Sequence, residues 1–272
     1  PKVIEAKEVV AQLNDRFNAY FGKGQAAAKL SDGIVADAAA GGDSVKIKQG
    51  AFFAPRDVDV LEVHEGWVHV ATTLNGKSQR MATWLSKGPP RIASTQEGLA
   101  VILEIFTFRT YPRRARAITD RIVAISKAEQ GANLLEIIEF YRTRGHSEDD
   151  SIYHAERVFR GSAAQGGAPF TKDISYCKGF IENYNFLRAA VRAGRPELIP
   201  FLFVGKLHVD DVPLLYQKHR EGLVDAPKYV PPQFKDFNGL TVWMAFSSFL
   251  NRLHMSKIQA HYDKLFRHYG SG

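Results

Sequence analysis

The chain is nearly devoid of cysteine, since Cys177 is the only one among its 272 residues. An internal disulfide is therefore impossible, and zinc sites built from several thiolates are excluded. This composition fits a reducing compartment, and we expect a cytoplasmic location. Long apolar runs are missing as well: the strongest, Leu99 to Phe106, is far shorter than the roughly 20 residues that cross a bilayer. We expect no membrane partner.

Acidic residues are outnumbered, with 29 Asp and Glu against 36 Lys and Arg and a formal net charge of +7. Such a balance attracts acidic partners, or it reflects an ordinary solvated surface with surplus lysine and arginine. No aromatic and basic pattern typical of nucleic-acid recognition accompanies it, so no nucleic-acid partner is expected. The basic run Arg113, Arg114 and Arg116 is interpreted as a solvated helix face, with attraction of an acidic peptide tail as the alternative.

Hydrophobic periodicity predicts a mainly helical α+β protein with a small β-sheet. The alternating residues 44–49 predict a half-buried strand. No repeat or long linker divides the chain, so one domain is expected over residues 1–272. The chain starts at Pro1 rather than methionine, which we interpret as a fragment that lacks its native N-terminus. Helices are predicted at residues 3–21, 31–40, 55–74, 95–108, 113–130, 132–144, 148–160, 172–193, 208–223 and 241–268.

An H-E-x-x-x-H pattern, formed by His64, Glu65 and His69, lies within the helix predicted at 55–74. Two imidazoles can bind a zinc ion, and an adjacent carboxylate can deprotonate a metal-bound water. The usual motif places its histidines four residues apart, about 40° around an α-helix. Here they are five apart, about 140°, so both reach one metal only if a π-type turn widens the helix. Gly66 would ease that distortion.

The motif alone leaves an alternative open, in which one histidine is exposed and the other is buried with an ordinary partner. Glu97 favours the metal site, because it lies 28 residues after His69 in the first turn of the next predicted helix. It would complete a His/His/Glu ligand set and leave a fourth position for water. Its alternative role is an acid that stabilises the helix dipole. Glu104, on the same helix face, either orients a ligand histidine or is an ordinary buried acid.

Two segments, HEGWVH and STQEGLA, together resemble the QEGLA-motif family, whose bacterial members are described as flavohaemoglobin expression-modulating proteins. That family also includes the eukaryotic microtubule-associated tyrosine carboxypeptidases, which remove the C-terminal tyrosine of α-tubulin. The likeness continues through RVFRG and PFTKDISYCKG and ends near Gly179. It implies a zincin-like metallopeptidase domain whose H-E-x-x-x-H segment is helical.

The resemblance also implies roles for individual residues. Glu65 is expected to be the catalytic base, and the Tyr176 hydroxyl to steady the tetrahedral oxyanion. Zinc is expected on three ligands, His64, His69 and Glu97. Three cations are expected near the substrate cleft, where they suit the capture of a C-terminal carboxylate: Arg157, Arg160 and Lys172. The alternative for these three and for Tyr176 is that they anchor loops and helix ends.

These features favour a zinc-dependent metallocarboxypeptidase that acts on the C-terminal tail of a peptide or protein, acidic tails included. Two alternatives stay open: a non-catalytic metal-binding regulatory protein, and a zinc amidase or endopeptidase on the same scaffold. Glu65 argues against the regulatory protein, because a purely structural metal site has no need of a free carboxylate beside it. The sequence does not separate a carboxypeptidase from an amidase or endopeptidase.

Overall fold

A computed structural model gives the fold of residues 2–34 and 36–250, together with 259, 262 and 263. Most described residues are helical and the strands are short, as the α+β prediction requires. The strands are β1 (Ile4–Glu5), β2 (Ala27–Ser31), β3 (Ala38–Gly41), β4 (Ser44–Lys48) and β5 (Phe52–Phe53). One sheet has the order β2-β4-β3, with β2 parallel and β3 antiparallel to β4, and β1 pairs with β5 in a second, antiparallel sheet.

The helices follow the predicted sequence of elements closely. The part of the helix predicted at 241–268 that follows residue 250 lies outside the described residues, apart from 259, 262 and 263. No helix in the described part of the chain is long and apolar enough to cross a bilayer. The α-helices are α1 (Ala6–Phe21), α2 (Pro55–Leu61), α3 (Ala71–Lys77), α4 (Ala93–Phe106), α5 (Pro112–Glu129), α6 (Leu134–Thr143), α7 (Glu148–Val158), α8 (Ser175–Arg192), α9 (Val212–Arg220), α10 (Pro232–Lys235) and α11 (Phe237–Leu250).

The helix predicted at residues 31–40 is wrong, because this segment belongs to the sheet. Ala38 and Gly41 pair antiparallel with Ile47 and Ser44 of β4. Gly42 adopts a positive φ of 65° in the turn between the two strands. Alanine favours helices when considered alone, but β4 buries Val45 and Ile47 and offers a ladder that overrides local propensity.

Three apolar clusters surround the region where the H-E-x-x-x-H segment lies. The first packs α1 against the sheet, with Leu13, Phe17 and Ile47 fully buried. The second packs α4 and α8 against residues 196–204 and the helices that follow. The third joins α5, α6 and α7 around Tyr141. The segment between α2 and α3 touches the first cluster and α4, and α5 packs against α8.

Helices α4 and α8 approach each other until their backbones touch at Gly98 and Gly179. A Cβ at Gly98 would overlap the carbonyl group of Gly179, and a Cβ at Gly179 would overlap the carbonyl oxygen of Ser94. Nearby, the buried Asn183 side chain donates hydrogen bonds to the carbonyl oxygens of Thr95 (3.0 Å) and Gly179 (2.9 Å). The contact fixes α4, which carries Glu97, against α8, which carries Tyr176.

Substitution of Gly98 by alanine should therefore destabilise the protein. Backbone atoms cannot move aside as a flexible side chain can, so we expect a loss of about 2–3 kcal/mol, or about 5–10 °C in Tm. Thermal unfolding followed by circular dichroism measures this loss. Gly33→Ala is the control, because its added Cβ would meet nothing within 4 Å. Equal Tm values for the two variants would contradict the close packing.

Candidate metal centre

A π-helical segment, Glu62–Val70, connects α2 to α3 and carries both histidines of the motif. At its end the Ala71 N–H donates to the Gly66 carbonyl oxygen, five residues back. The wider turn brings the His64 and His69 rings to the same side, with 5.1 Å between their centres. The predicted widening near Gly66 is therefore confirmed. Neither histidine is exposed, so the alternative with one exposed histidine is wrong.

Gly66 has a packing role that the sequence did not reveal. A Cβ at this position would lie 2.5 Å from Cε1 of Phe17, a fully buried residue of α1. The glycine thus lets the π-helical segment lie directly on α1. Because α1 also packs against the sheet, this contact fixes the segment relative to β3 and β4.

Glu97 lies just after the first turn of α4, not within it as the sequence predicted, and brings a carboxylate to the two imidazoles. Its Oε2 lies 3.4 Å from His64 Nε2 and 3.7 Å from His69 Nε2. One ligand atom from each of the three residues lies within 4.8 Å of the others. Metal–ligand bonds of about 2.1 Å at tetrahedral angles place ligand atoms roughly 3.4 Å apart. Glu97 Oε2 is buried without a hydrogen-bond partner in the described part of the chain, which a cation would supply. These residues fit a metal ion.

The outer nitrogen of His64 is held by a buried carboxylate. Its Nδ1 lies 2.7 Å from Oε1 of Glu104, which is fully buried on α4. Arg114 of α5 donates to both oxygens of that carboxylate, at 2.6 and 2.7 Å. Glu104 therefore takes the orienting role rather than that of an unconnected buried acid, and it leaves His64 Nε2 free to face Glu97. Arg114 was interpreted as part of a solvated face, and the structure corrects this.

His69 is supported by an amide and a lysine. Its Nδ1 lies 3.4 Å from Oε1 of Gln96, which also accepts hydrogen bonds from Thr72 Oγ1 (2.9 Å) and Lys206 Nζ (2.8 Å). The same ammonium group donates to the His69 carbonyl oxygen at 2.8 Å. Sequence reasoning missed both residues. Gln96 directly precedes Glu97 and could have been suspected, but nothing in the sequence points to Lys206, 137 residues after His69.

Glu65 stands beside the ligand atoms with one oxygen held in place. Its Oε2 accepts a hydrogen bond of 2.9 Å from the backbone N–H of Ala40 in β3. Its Oε1 lies 4.0 Å from His64 Nε2. The sheet therefore orients this carboxylate, and the second oxygen remains available at the site.

The remaining residues named from the sequence line one cleft of about 2390 Å³ that includes the three ligand residues. The Tyr176 ring lies 6.1 Å from the His64 ring. Arg157 donates two hydrogen bonds to Asp173, at 2.5 and 3.1 Å, so its guanidinium anchors the loop before α8. The guanidinium of Arg160 lies 5.3 Å from the centre of the Phe170 ring, and Lys172 is exposed at the cleft wall.

A comparison with protein-family models matches residues 1–252 to the microtubule-associated tyrosine carboxypeptidase family. The chain belongs to this family. The resemblance based on HEGWVH and STQEGLA is thereby confirmed. The family's name describes a tyrosine carboxypeptidase, so membership supports a peptidase activity. A comparison with curated proteins finds no match.

Metal binding should release a proton from His64. In the metal-free protein burial alone would lower the pKa of His64, but the hydrogen bond to Glu104 and the carboxylates of Glu97 and Glu65 raise it to about 10. A metal ion needs the neutral imidazole, so about one proton should leave on binding at pH 7, and affinity should rise with pH up to about 10. Calorimetry of metal binding in buffers of different ionisation enthalpy measures the released proton.

The matched variant for this measurement is Glu104→Gln, which keeps the shape of the side chain and removes its charge. The pKa of His64 should fall towards its ordinary value, so fewer protons should leave at pH 7. Affinity for the metal should nevertheless fall about 10- to 100-fold, because the ligand loses its orienting partner. Proton release that is absent from the wild type, or unchanged in the variant, would contradict the role of Glu104.

Proposed function

We propose that the protein is a zinc-dependent carboxypeptidase, with a zincin-like site, that removes the last residue from an acidic peptide tail. The observation that carries the proposal is the group of His64, His69 and Glu97, with Glu65 beside it in a large cleft. Two histidines and one glutamate are a ligand set of catalytic zinc and leave a position for water. Family membership supports the carboxypeptidase type of reaction.

Each residue has a definite part in this reaction. When bound, zinc would acidify a water molecule and polarise the scissile carbonyl group. Oε1 of Glu65 accepts the proton of the attacking water and then delivers it to the nitrogen of the departing amino acid. The hydrogen bond from the Ala40 N–H keeps this carboxylate in place through both transfers.

Tyr176 is suited to stabilise the oxyanion that forms on the scissile carbonyl. Burial, followed by the negative charge of Glu97, raises the pKa of Tyr176 well above its ordinary value. The phenol therefore keeps its proton at every physiological pH and can donate a hydrogen bond. Its ring lies 6.1 Å from the ring of His64, within reach of a substrate bound at the ligand group.

The charge of the cleft supports an acidic substrate. Its walls carry eleven lysine and arginine residues against five aspartate and glutamate residues. A cleft with an excess of one charge sign concentrates ligands of the opposite sign and speeds their association. An acidic peptide that ends in tyrosine is accordingly the substrate to test first, because the family's name specifies that residue.

Replacement of Glu65 by glutamine should separate catalysis from metal binding. The zinc content should stay near one per chain, because Glu65 lies outside the ligand group, while kcat should fall about 10²- to 10⁴-fold. Metal analysis and mass spectrometry of digested peptides measure the two quantities. Glu129→Gln, which changes an exposed acid of α5, is the control and should keep full activity.

The other outcomes identify the competing functions. Cleavage within the chain of the peptide would indicate an endopeptidase. Zinc retention without turnover in the wild type would indicate a regulatory metal-binding protein. Full zinc retention in His64→Ala, His69→Ala and Glu97→Ala would contradict the proposed site altogether.

A further inference from the structure

Arg121 of α5 has a position and surroundings that set it apart from the other cations of the cleft. The residue is only 8% exposed, yet it forms part of the cleft wall. Its guanidinium lies 6.0 Å from the centre of the Tyr176 ring. Two ring contacts in series, Arg121 to Tyr176 and Tyr176 to His64, therefore connect this buried cation to the proposed metal ligands.

The positive charge of Arg121 is only partly balanced. Asp173 lies 3.2 Å from one terminal nitrogen of Arg121, but the same carboxylate already accepts two hydrogen bonds from Arg157. Nε of Arg121 is buried without a hydrogen-bond partner among the described residues. Burial and then the charge of Arg157 lower the pKa of Arg121, as expected where two guanidinium groups share one carboxylate. A second carboxylate at this point would complete the balance.

We propose that Arg121 binds the C-terminal carboxylate of the substrate, an inference that rests on the proposed carboxypeptidase function. A planar guanidinium can hold a carboxylate through two parallel hydrogen bonds. One extended residue spans roughly 3.5 Å, and a metal contact and a hydrogen bond add about 2–3 Å at its two ends. The ring contacts of 6.1 and 6.0 Å limit the separation between the His64 ring and the Arg121 guanidinium to the same scale as this reach. On this scale one residue is the substrate segment to place between the scissile carbonyl and the guanidinium.

The three cations expected from the sequence are less suited to this task. Arg157 uses two of its guanidinium nitrogens, Nε and one terminal nitrogen, to bind Asp173. The guanidinium of Arg160 contacts the Phe170 ring. The guanidinium of Arg121 instead contacts the Tyr176 ring, and that ring contacts His64. Lys172 is exposed, and its ammonium group cannot form the two parallel hydrogen bonds that a guanidinium makes to both oxygens of a carboxylate. Arg160 and Lys172 remain available to attract the acidic part of the tail.

The test compares an acidic peptide ending in tyrosine with its C-terminally amidated form. Wild-type enzyme should cleave the free acid with a kcat/KM at least about tenfold higher, because the amide loses a charge-assisted contact. In Arg121→Gln the kcat/KM for the free acid should fall at least about tenfold, while that for the amide stays within about twofold. Arg121→Lys should keep part of the preference for the free acid over the amide. Arg142→Gln, which removes an exposed arginine of α6 away from the cleft wall, should keep all of it.

A binding measurement makes the result independent of turnover and of variants that fold poorly. N-acetyltyrosine should bind the zinc-loaded wild type at least about tenfold more tightly than N-acetyltyrosinamide, and Arg121→Lys should narrow this difference. Equal losses for acid and amide in folded Arg121→Gln would show a structural role and overturn the proposal. A preference lost instead in Arg160→Gln would overturn it as well. Absence of peptide cleavage by the wild type would refute only the proposed function, since the binding preference tests Arg121 separately.

Discussion

The wide turn between Glu62 and Val70 is the constraint on which the candidate metal centre depends. Without it, histidines five residues apart point in directions about 140° apart and cannot share a cation. A π-helical turn departs from the i→i−4 hydrogen-bond pattern of an α-helix, so its carbonyl groups can take partners from elsewhere. Thr72 Oγ1 donates to the Val68 carbonyl at 2.7 Å, and Thr73 Oγ1 and Lys206 Nζ donate to the His69 carbonyl at 2.9 and 2.8 Å. The side chains that stabilise the turn are thus also those that surround the ligands.

A positive charge lies among the carboxylates of the candidate metal centre even in the metal-free protein. In the metal-free protein a protonated His64 lies between the carboxylates of Glu97 and Glu104, and Arg114 neutralises the second of these. Hydrogen bonds from His64 and Arg114 overcome the effect of burial and lower the pKa of Glu104 to about 2. In the metal-free protein the proton on His64 thus supplies part of the positive charge that a bound metal ion would bring. The ligand geometry can persist without metal, because unpaired buried carboxylates would otherwise repel each other.

The sequence was most informative where local spacing determines structure. The five-residue separation of His64 and His69 predicts the widened helix that the structure shows at Glu62–Val70. The strand at 44–49 is also correctly predicted. The helix expected at 31–40 failed because pairing with β4 decides that conformation. Lys206 could not be found, since its role depends on a loop far away in the chain reaching the π-helical segment.

The net charge of the chain is a second case in which the sequence alone does not show where a function lies. A dense basic run on α5 is the obvious candidate for attracting acidic partners, yet the fold gives each member an ion-pair partner: Arg113 with Asp150, Arg114 with Glu104 and Arg116 with Asp120. Arg121 follows on the same helix without any basic neighbour in sequence, and its charge is left partly unbalanced in the cleft wall. Local density of charge therefore does not indicate where an anion binds. The charge that stays unbalanced after folding is the better indicator of an anion site. Here the packing of α5, α7 and α8 around Asp173 determines that charge.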